Sequence, residues 1–384
     1  MNNFTYHVPT EIHFGAGQLS HLSQLTESGS RVLLVYGGGS IRRSGLYDQI
    51  LSHLTAAELH VTELSGVDPN PRIATVRRGA ALCRDGGIDM VLAVGGGSAI
   101  DCAKMVAAGT LYNGDPWDLI LDSGKIQGAL PIYCVPTLAS TGSEMDAYAV
   151  ISNPETQEKL DICSPFLKPR MSILDPTLTF TAPPAQTAAG AADIFSHVLE
   201  NYFTQVRGAF VQARLCEGML QTVLHSAPIA LRQPDNYEAR ANLLWTASLA
   251  INDLVSCGAE VEWCVHPIEH ELSAFYDITH GVGLAILTPA WMDFVLGPDT
   301  AWKFGQYGRA VFGLTGQDDL AVGREAIAAT RDFFRRLGLP ATLREVGIDE
   351  THLDEMSRKA ADYCSGCFVP LTAQDIRAIY DAAL

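Results

Sequence analysis

Five side chains in two short segments have the types and spacing to hold a cation. In Val261 to Gly283, VEWCVHPIEHELSAFYDITHGVG, His266 and His270 stand four residues apart, and His280 follows fourteen residues after His266. Upstream, Asp193 and His197 repeat the four-residue spacing within GAADIFSHVLE. On a helix, such pairs share a face. Carboxylate oxygen and imidazole nitrogen are the donors that divalent zinc, iron, cobalt and manganese accept. Any one of these histidines alone is more simply a packed or surface residue. All five together, in segments otherwise apolar and small, point to a divalent metal site.

Two glycine loops supply a second kind of chemistry. Gly95-Gly96-Gly97-Ser98 follows an apolar run and precedes a helical pattern. Ser98 and Asp101 have capping-box spacing, which predicts a helix starting there with its N–H groups and dipole turned toward an anion. It is neither a phosphate-binding Walker loop nor GxGxxG, and a tight turn needing positive φ is the plain alternative. Gly37-Gly38-Gly39-Ser40 is followed by Arg42 and Arg43, with no acidic residue seen nearby for a ribose 2′-hydroxyl. Serine and two arginines suit a 2′-phosphate, hence NADP(H); solvated charges at a helix start suit the same residues. A third loop, Pro136 to Glu144, offers the hydroxyls of Thr137, Thr141 and Ser143.

The elements that must position these groups fall into two halves. Apolar runs of strand length occur at Glu11 to Phe14, Val32 to Tyr36, His60 to Leu64, Met90 to Val94, Pro131 to Val135 and Met171 to Leu174. Helical periods lie between them, including Gln18 to Leu25, Tyr47 to Leu54, and a helix opened by Pro71. Runs bounded by glycine read as parallel strands buried on both faces. Beyond Pro183-Pro184 only helical periods remain. The expectation is an α/β domain over residues 1–180 and an all-helical domain over 181–384.

Composition narrows the partners. A formal net charge of -17 argues against nucleic acid and anionic membrane surfaces. Nine scattered cysteines, an odd number without framework spacing, suit reduced thiols in a cytoplasmic protein. Cys364-Ser-Gly-Cys367 is a lone pair with no second pair to make a zinc knuckle, and reads as packed thiols. No export signal is visible in MNNFTYHVPT. The apolar run Gly281 to Gly297 reads as a buried helix.

In order and spacing, GGGSAIDCAK, PTLASTGSE, LDPTLTFTAPPAQTAAGAADIFSHVLE and HPIEHELSAFYDITHGVG resemble the iron-containing (group III) alcohol dehydrogenases. The likeness runs from about residue 5 to the C-terminus and is strongest to the NADP-dependent butanol dehydrogenase and aldehyde reductase branch. It implies a Rossmann-like N-terminal domain and a helical C-terminal domain, the dehydroquinate synthase-like fold, with the active site in a cleft between them. It further implies metal ligands at Asp193, His197, His266 and His280, with His270 near the substrate as proton relay or hydrogen-bonder. Cofactor contacts are implied at Gly37, Gly38, Gly39, Ser40, Gly95, Gly96, Gly97, Ser98, Asp101, Thr137, Leu138, Thr141, Tyr148 and Lys159. The expected activity is hydride transfer between NADP(H) and a small aldehyde or alcohol, with Fe2+ or Zn2+ polarising the oxygen, in a homodimer. A lyase related to dehydroquinate synthase is the alternative. Its phosphorylated substrate would call for cations, yet Asp253 to Gly283 contains no Lys or Arg.

Overall fold

The strands of the computed structural model, in chain order, are β1 (Glu11–Phe14), β2 (Arg31–Tyr36), β3 (His60–Leu64), β4 (Met90–Gly95), β5 (Ile132–Pro136), β6 (Tyr148–Asn153), β7 (Glu158–Cys163) and β8 (Met171–Leu174). Six of them form one sheet in the order β1-β8-β5-β4-β2-β3, every neighbouring pair parallel. Alternation decides which core each side chain enters. Leu33, Val35, Val91 and Ala93 join one apolar cluster. Val32, Leu34, Tyr36, Met90, Leu92 and Val94 join the cluster on the opposite face. A strand buried on both faces therefore reads as an unbroken apolar run.

The chain leaves β2, forms β3 on one side, and returns to place β4 on the other side of β2. The order reverses between β2 and β4. In open α/β sheets that reversal opens a crevice at the strands' carboxyl ends, where ligands bind. Both glycine loops sit there, one after each of these strands.

The structure describes residues 1–259 and 261–384. They form two compact units, one of His7–Ala182 with Pro234–Asn252, the other of Met1–Tyr6, Pro183–Gln233 and Asp253–Leu384. A single cut at residue 180 does not describe this division. The helix Tyr237–Ile251 belongs to the α/β unit, where Ser248 Oγ donates to Glu144 Oε1 and Trp245 packs edge-on to Phe14 at 5.8 Å. The first residues belong to the other unit, where Asn2 N–H donates to Gly258 O at 2.8 Å.

Among the described residues, the α-helices of the second unit are Pro184–Tyr202, Phe210–Arg232, Val265–Tyr276, His280–Val295, Ala301–Phe312, Asp319–Arg336, Leu353–Ala361 and Ala373–Ala383, and no strand falls within it. Pro184–Tyr202 is buried on every face from Thr187 onward, as a central helix must be. His280–Val295 crosses it closely: a Cβ on Gly281 would lie 2.0 Å from Ala189 O. Only glycine permits that approach. No described helix is long and apolar enough to cross a membrane.

Three local expectations fail. Gln18–Ser28 winds as a 3-10 helix. The helix after Pro71 starts at Ile73, with Arg72 as its extended N-cap. The antiparallel hairpin β6–β7 carries no strand expectation at all. Its strands lie outside the main sheet, and their polar residues Ser152, Asn153, Glu158, Lys159 and Asp161 break both an unbroken apolar run and a clean alternation.

Candidate active site

The helix Pro184–Tyr202 carries Asp193 and His197 on one face, with Glu200 one turn further. Val265–Tyr276 carries His266, Glu269 and His270, and His280 opens the next helix. These elements bring the four expected ligands together. Asp193 Oδ1 lies 3.4 Å from His197 Nε2, 3.8 Å from His266 Nε2 and 3.7 Å from His280 Nε2. The donor atoms of Asp193, His266 and His280 all fall within 4.8 Å of one another. His197 reaches the same carboxylate with its ring stacked on His266, centroids 4.7 Å apart.

Two carboxylates absent from the sequence expectations set the tautomers. Glu200 Oε1 meets His266 Nδ1, and Glu269 Oε2 meets His280 Nδ1. An ionised carboxylate only accepts, so each Nδ1 donates and each ring, in its neutral form, keeps its lone pair on Nε2. Those lone pairs face Asp193 Oδ1, another acceptor. The separations are too long for hydrogen bonds and close to the edge of a coordination tetrahedron, about 3.4 Å for bonds of about 2.1 Å. His266 Nε2 is buried without a hydrogen-bond partner. One oxygen and three imidazole nitrogens converging in this way fit a divalent cation, with His266 and His280 each oriented from behind by a carboxylate.

Electrostatics agree. Burial opposes ionisation of Asp193, but the three facing histidines outweigh it and hold the carboxyl far below its usual range. Burial pushes His197 down to about 3, so it stays neutral. Burial also pushes against protonation of His266, yet Glu200 and Asp193 prevail and raise it to about 9, so without a cation its Nε2 carries a proton between the two carboxylates, and a divalent ion bound there would displace that proton and take the lone pair. His270 adjoins the group, its ring 5.5 Å from that of His280.

Glu200 does more than orient a ring. It also accepts from the backbone N–H groups of Cys264, Val265 and His266, capping the helix that bears His266. Glu269 accepts from Ser273 Oγ at 2.6 Å, and a Cβ on Gly283 would press within 2.6 Å of its Cγ. The signal for both was present in the sequence. Glu200 stands three residues past His197, and Glu269 three past His266, each on a metal-bearing face.

In the α/β unit the glycine loop after β4 leads into the helix Gly97–Thr110. The expected capping box does not form. Gly96 is the N-cap without a side-chain bond, and Ser98 Oγ donates to Pro69 O. Asp101 instead accepts from Ser143 Oγ at 2.6 Å and from Val150 N–H at 3.0 Å. The loop Pro136 to Glu144 packs closely on the helix start, where a Cβ on Gly97 would fall 2.4 Å from Thr141. The helix start is thus left with no side chain capping its N–H groups, as an anion site requires.

Thr137 N–H donates to Gly95 O at 2.9 Å, and Leu138 lies beside Gly96, so Gly95, Gly96, Gly97, Ser98, Thr137, Leu138 and Thr141 share one corner. Asp101 lies behind it, buried. Tyr148 opens β6, its carbonyl accepting from the buried Lys104 ammonium at 2.7 Å. Lys159 sits buried on β7 opposite Ser152.

After β2, Gly37, Gly38 and Gly39 lead into the short helix Ser40–Arg43, with Gly39 at φ 96°. The absence of a carboxylate here needs correcting. Glu63 of β3 accepts from Tyr36 Oη at 2.5 Å, Tyr47 Oη at 2.6 Å and Arg42 at 2.7 Å. Arg42 also lies over the Tyr47 ring, 3.7 Å from its centroid. Parallel pairing of β2 with β3 brings Glu63 to this place, a contact that the local sequence around Gly37 does not contain.

The sequence matches the iron-containing alcohol dehydrogenase model over residues 9–176 and the C-terminal model of the Fe-containing alcohol dehydrogenase family over 187–384. NADH-dependent butanol dehydrogenase A of Clostridium acetobutylicum is 50% identical, the match covering 99% of each chain. NADPH-dependent aldehyde reductase YqhD of Escherichia coli is 39% identical over 100% of both. The crystal structure of NADH-dependent butanol dehydrogenase A from Thermotoga maritima superposes with a TM-score of 0.96 at 38% identity, covering 100% of this chain and 99% of that one. With both halves of the sequence matched and the donor set in place, this chain belongs to the iron-containing alcohol dehydrogenase family, oxidoreductases that use a nicotinamide cofactor and iron.

Proposed function

We propose that the chain interconverts small aldehydes and alcohols with NADP(H) as the preferred cofactor, and that the substrate oxygen meets a divalent metal held by Asp193, His197, His266 and His280. The observation that carries this reading is the pair of imidazoles, each tied to a carboxylate at Nδ1 and turned by Nε2 toward Asp193. When bound, such a metal supplies Lewis acidity to a carbonyl oxygen, and the reduced nicotinamide supplies hydride.

The residues of the chain do the rest. Asp193 offsets one of the two metal charges, leaving a formal +1, so an electrophile remains. Glu200 and Glu269 fix the imidazoles in the tautomer that presents Nε2. His270, beside His280, is the group we assign to proton delivery at the substrate oxygen. The amides at the start of Gly97–Thr110 hold the pyrophosphate.

At the adenosine end Ser40 and Arg43 are the proposed partners of a 2′-phosphate. Arg42, engaged by Glu63 and Tyr47, builds the platform beneath them. Relatives named for NADH and for NADPH both occur, so the preference belongs to this chain's own residues.

The test is steady-state oxidation of NADPH and of NADH with short and medium aldehydes, before and after chelation, with metal analysis of protein purified without added metal. Iron is the expected content and zinc the competitor. Activity indifferent to chelation would refute the metal assignment. A kcat/KM with NADH at or above that with NADPH would refute the cofactor assignment.

A further inference from the structure

Three thiols that the Asp193 centre does not use meet elsewhere in the helical unit. The Sγ atoms of Cys264, Cys364 and Cys367 all lie within 4.8 Å of one another, and all three residues are buried. Cys364 and Cys367 bracket a Ser-Gly turn, and Cys264 joins them from one hundred residues earlier in the chain. All three are free thiols. Two of them donate to backbone carbonyls: Cys364 Sγ lies 3.8 Å from Cys264 O, and Cys367 Sγ lies 3.3 Å from Trp263 O. The carboxylate of Glu262 packs on the turn so closely that a Cβ on Gly366 would lie 2.1 Å from it.

Packing alone does not require this arrangement. Cys83, Cys102, Cys134 and Cys216 are as deeply buried, and none enters a metal-ligand group among the described residues. Three convergent thiols are an odd number for disulfide chemistry, since any pairing strands one. They are the donor set that soft and borderline ions select, as imidazole and carboxylate select harder ones. Sulfurs around a zinc ion stand about 3.8 Å apart for bonds of about 2.3 Å, so closure from the observed spacing is at most about 1 Å. Rotation of the cysteine side chains supplies that distance.

We propose that Cys264, Cys364 and Cys367 form a second metal site, taking a thiophilic ion such as Zn2+ or Cu+ through three sulfurs, separate from the Asp193 centre. On loading, each thiol releases its proton to solvent and binds as thiolate, with no change of oxidation state. The ion would pin the C-terminal turn to the residue just ahead of the His266 helix. It would thereby hold the segment whose amides Glu200 collects. The site does not depend on which ion Asp193 and its histidines hold.

The probe is cadmium ion alone, added to the metal-stripped full-length protein kept reduced with a phosphine. The expected result is an ultraviolet sulfur-to-cadmium charge-transfer band that saturates at about one equivalent per chain. The Asp193 centre contains no sulfur and contributes nothing to that band. Cys264→Ser should weaken the cadmium affinity at least about tenfold, and the double variant Cys364→Ala with Cys367→Ala should abolish the band. No band in wild-type protein whose nine cysteines all titrate as free thiols overturns the proposal. So does an undiminished band in the double variant. If that variant does not fold, absorption at the cadmium edge on wild-type protein decides: a first shell of two or three sulfurs supports the site, and a shell without sulfur overturns it.

Discussion

Glu63 and Glu200 do the same kind of work in surroundings that could hardly differ more. Each carboxylate gathers several donors. Glu63 takes two tyrosine hydroxyls and Arg42, and Glu200 takes three backbone amides and an imidazole. The Arg42 and Glu63 side chains are 49% and 36% exposed, whereas those of His266 and Glu200 are 6% and 2% exposed. Water screens the first network, so its geometry is adjustable and each bond in it is worth little. The second has no water to fall back on, and losing one partner strands another. A cofactor preference resting on the Glu63 network, as the proposed function has it, would be open to gradual change. A metal centre braced by Glu200 would be far more sensitive to the loss of a single partner.

That contrast is tested first at its buried end. His266→Ala should leave metal content near background and lower aldehyde reduction by at least about a thousandfold, measured as kcat with metal analysis alongside. A variant that keeps both its metal and its rate would break the contrast outright. Glu200→Gln keeps the shape but weakens the acceptor behind His266. Metal affinity in chelator competition should fall about ten- to a hundredfold.

Glu144 sharpens the comparison, because it is a buried carboxyl with no cation dominating it. Burial pushes its pKa to about 7, with the Ser248 hydroxyl acting the other way. The folded state therefore holds a proton that the unfolded chain, near 4.5, has released. Stability contributed by this group is intact below that lower value and declines as pH rises toward about 7. Glu144→Gln should flatten the decline, which is on the order of a few kcal/mol, in denaturant midpoints taken across that window. An unchanged slope would show Glu144 to be ionised throughout.

The smallest effect belongs to the exposed network. Glu63 is held below the ordinary carboxylate range, its tyrosine and arginine bonds outweighing burial. Glu63→Gln should shift the ratio of kcat/KM for NADPH over NADH by no more than about fivefold. A larger shift would mean that the half-exposed cluster tolerates change no better than the buried one.

The donor residues of the candidate metal centre were legible as a group because their types are scarce and their spacing matches a helix turn. The strands were legible because burial on both faces leaves no charged residue in Val32 to Tyr36 or Met90 to Val94. What could not be read was whatever depends on a distant partner. Glu63 reaches Arg42 only through the pairing of β2 with β3, and Cys264 reaches the Cys364 turn only through the fold. Asp101 shows the same limit inverted: its local spacing was right for a cap, and Ser143 and Val150 claimed the side chain first.

The helix Tyr237–Ile251 has a consequence for synthesis. Because it returns to the α/β unit after the chain has begun the helical one, a nascent polypeptide that ends near residue 182 still lacks Ser248. Glu144 would then lack both the Ser248 hydroxyl and the helix that packs over it, so the α/β unit is complete only once some seventy further residues have emerged. Neither half is a cassette that can be lifted out by trimming an end.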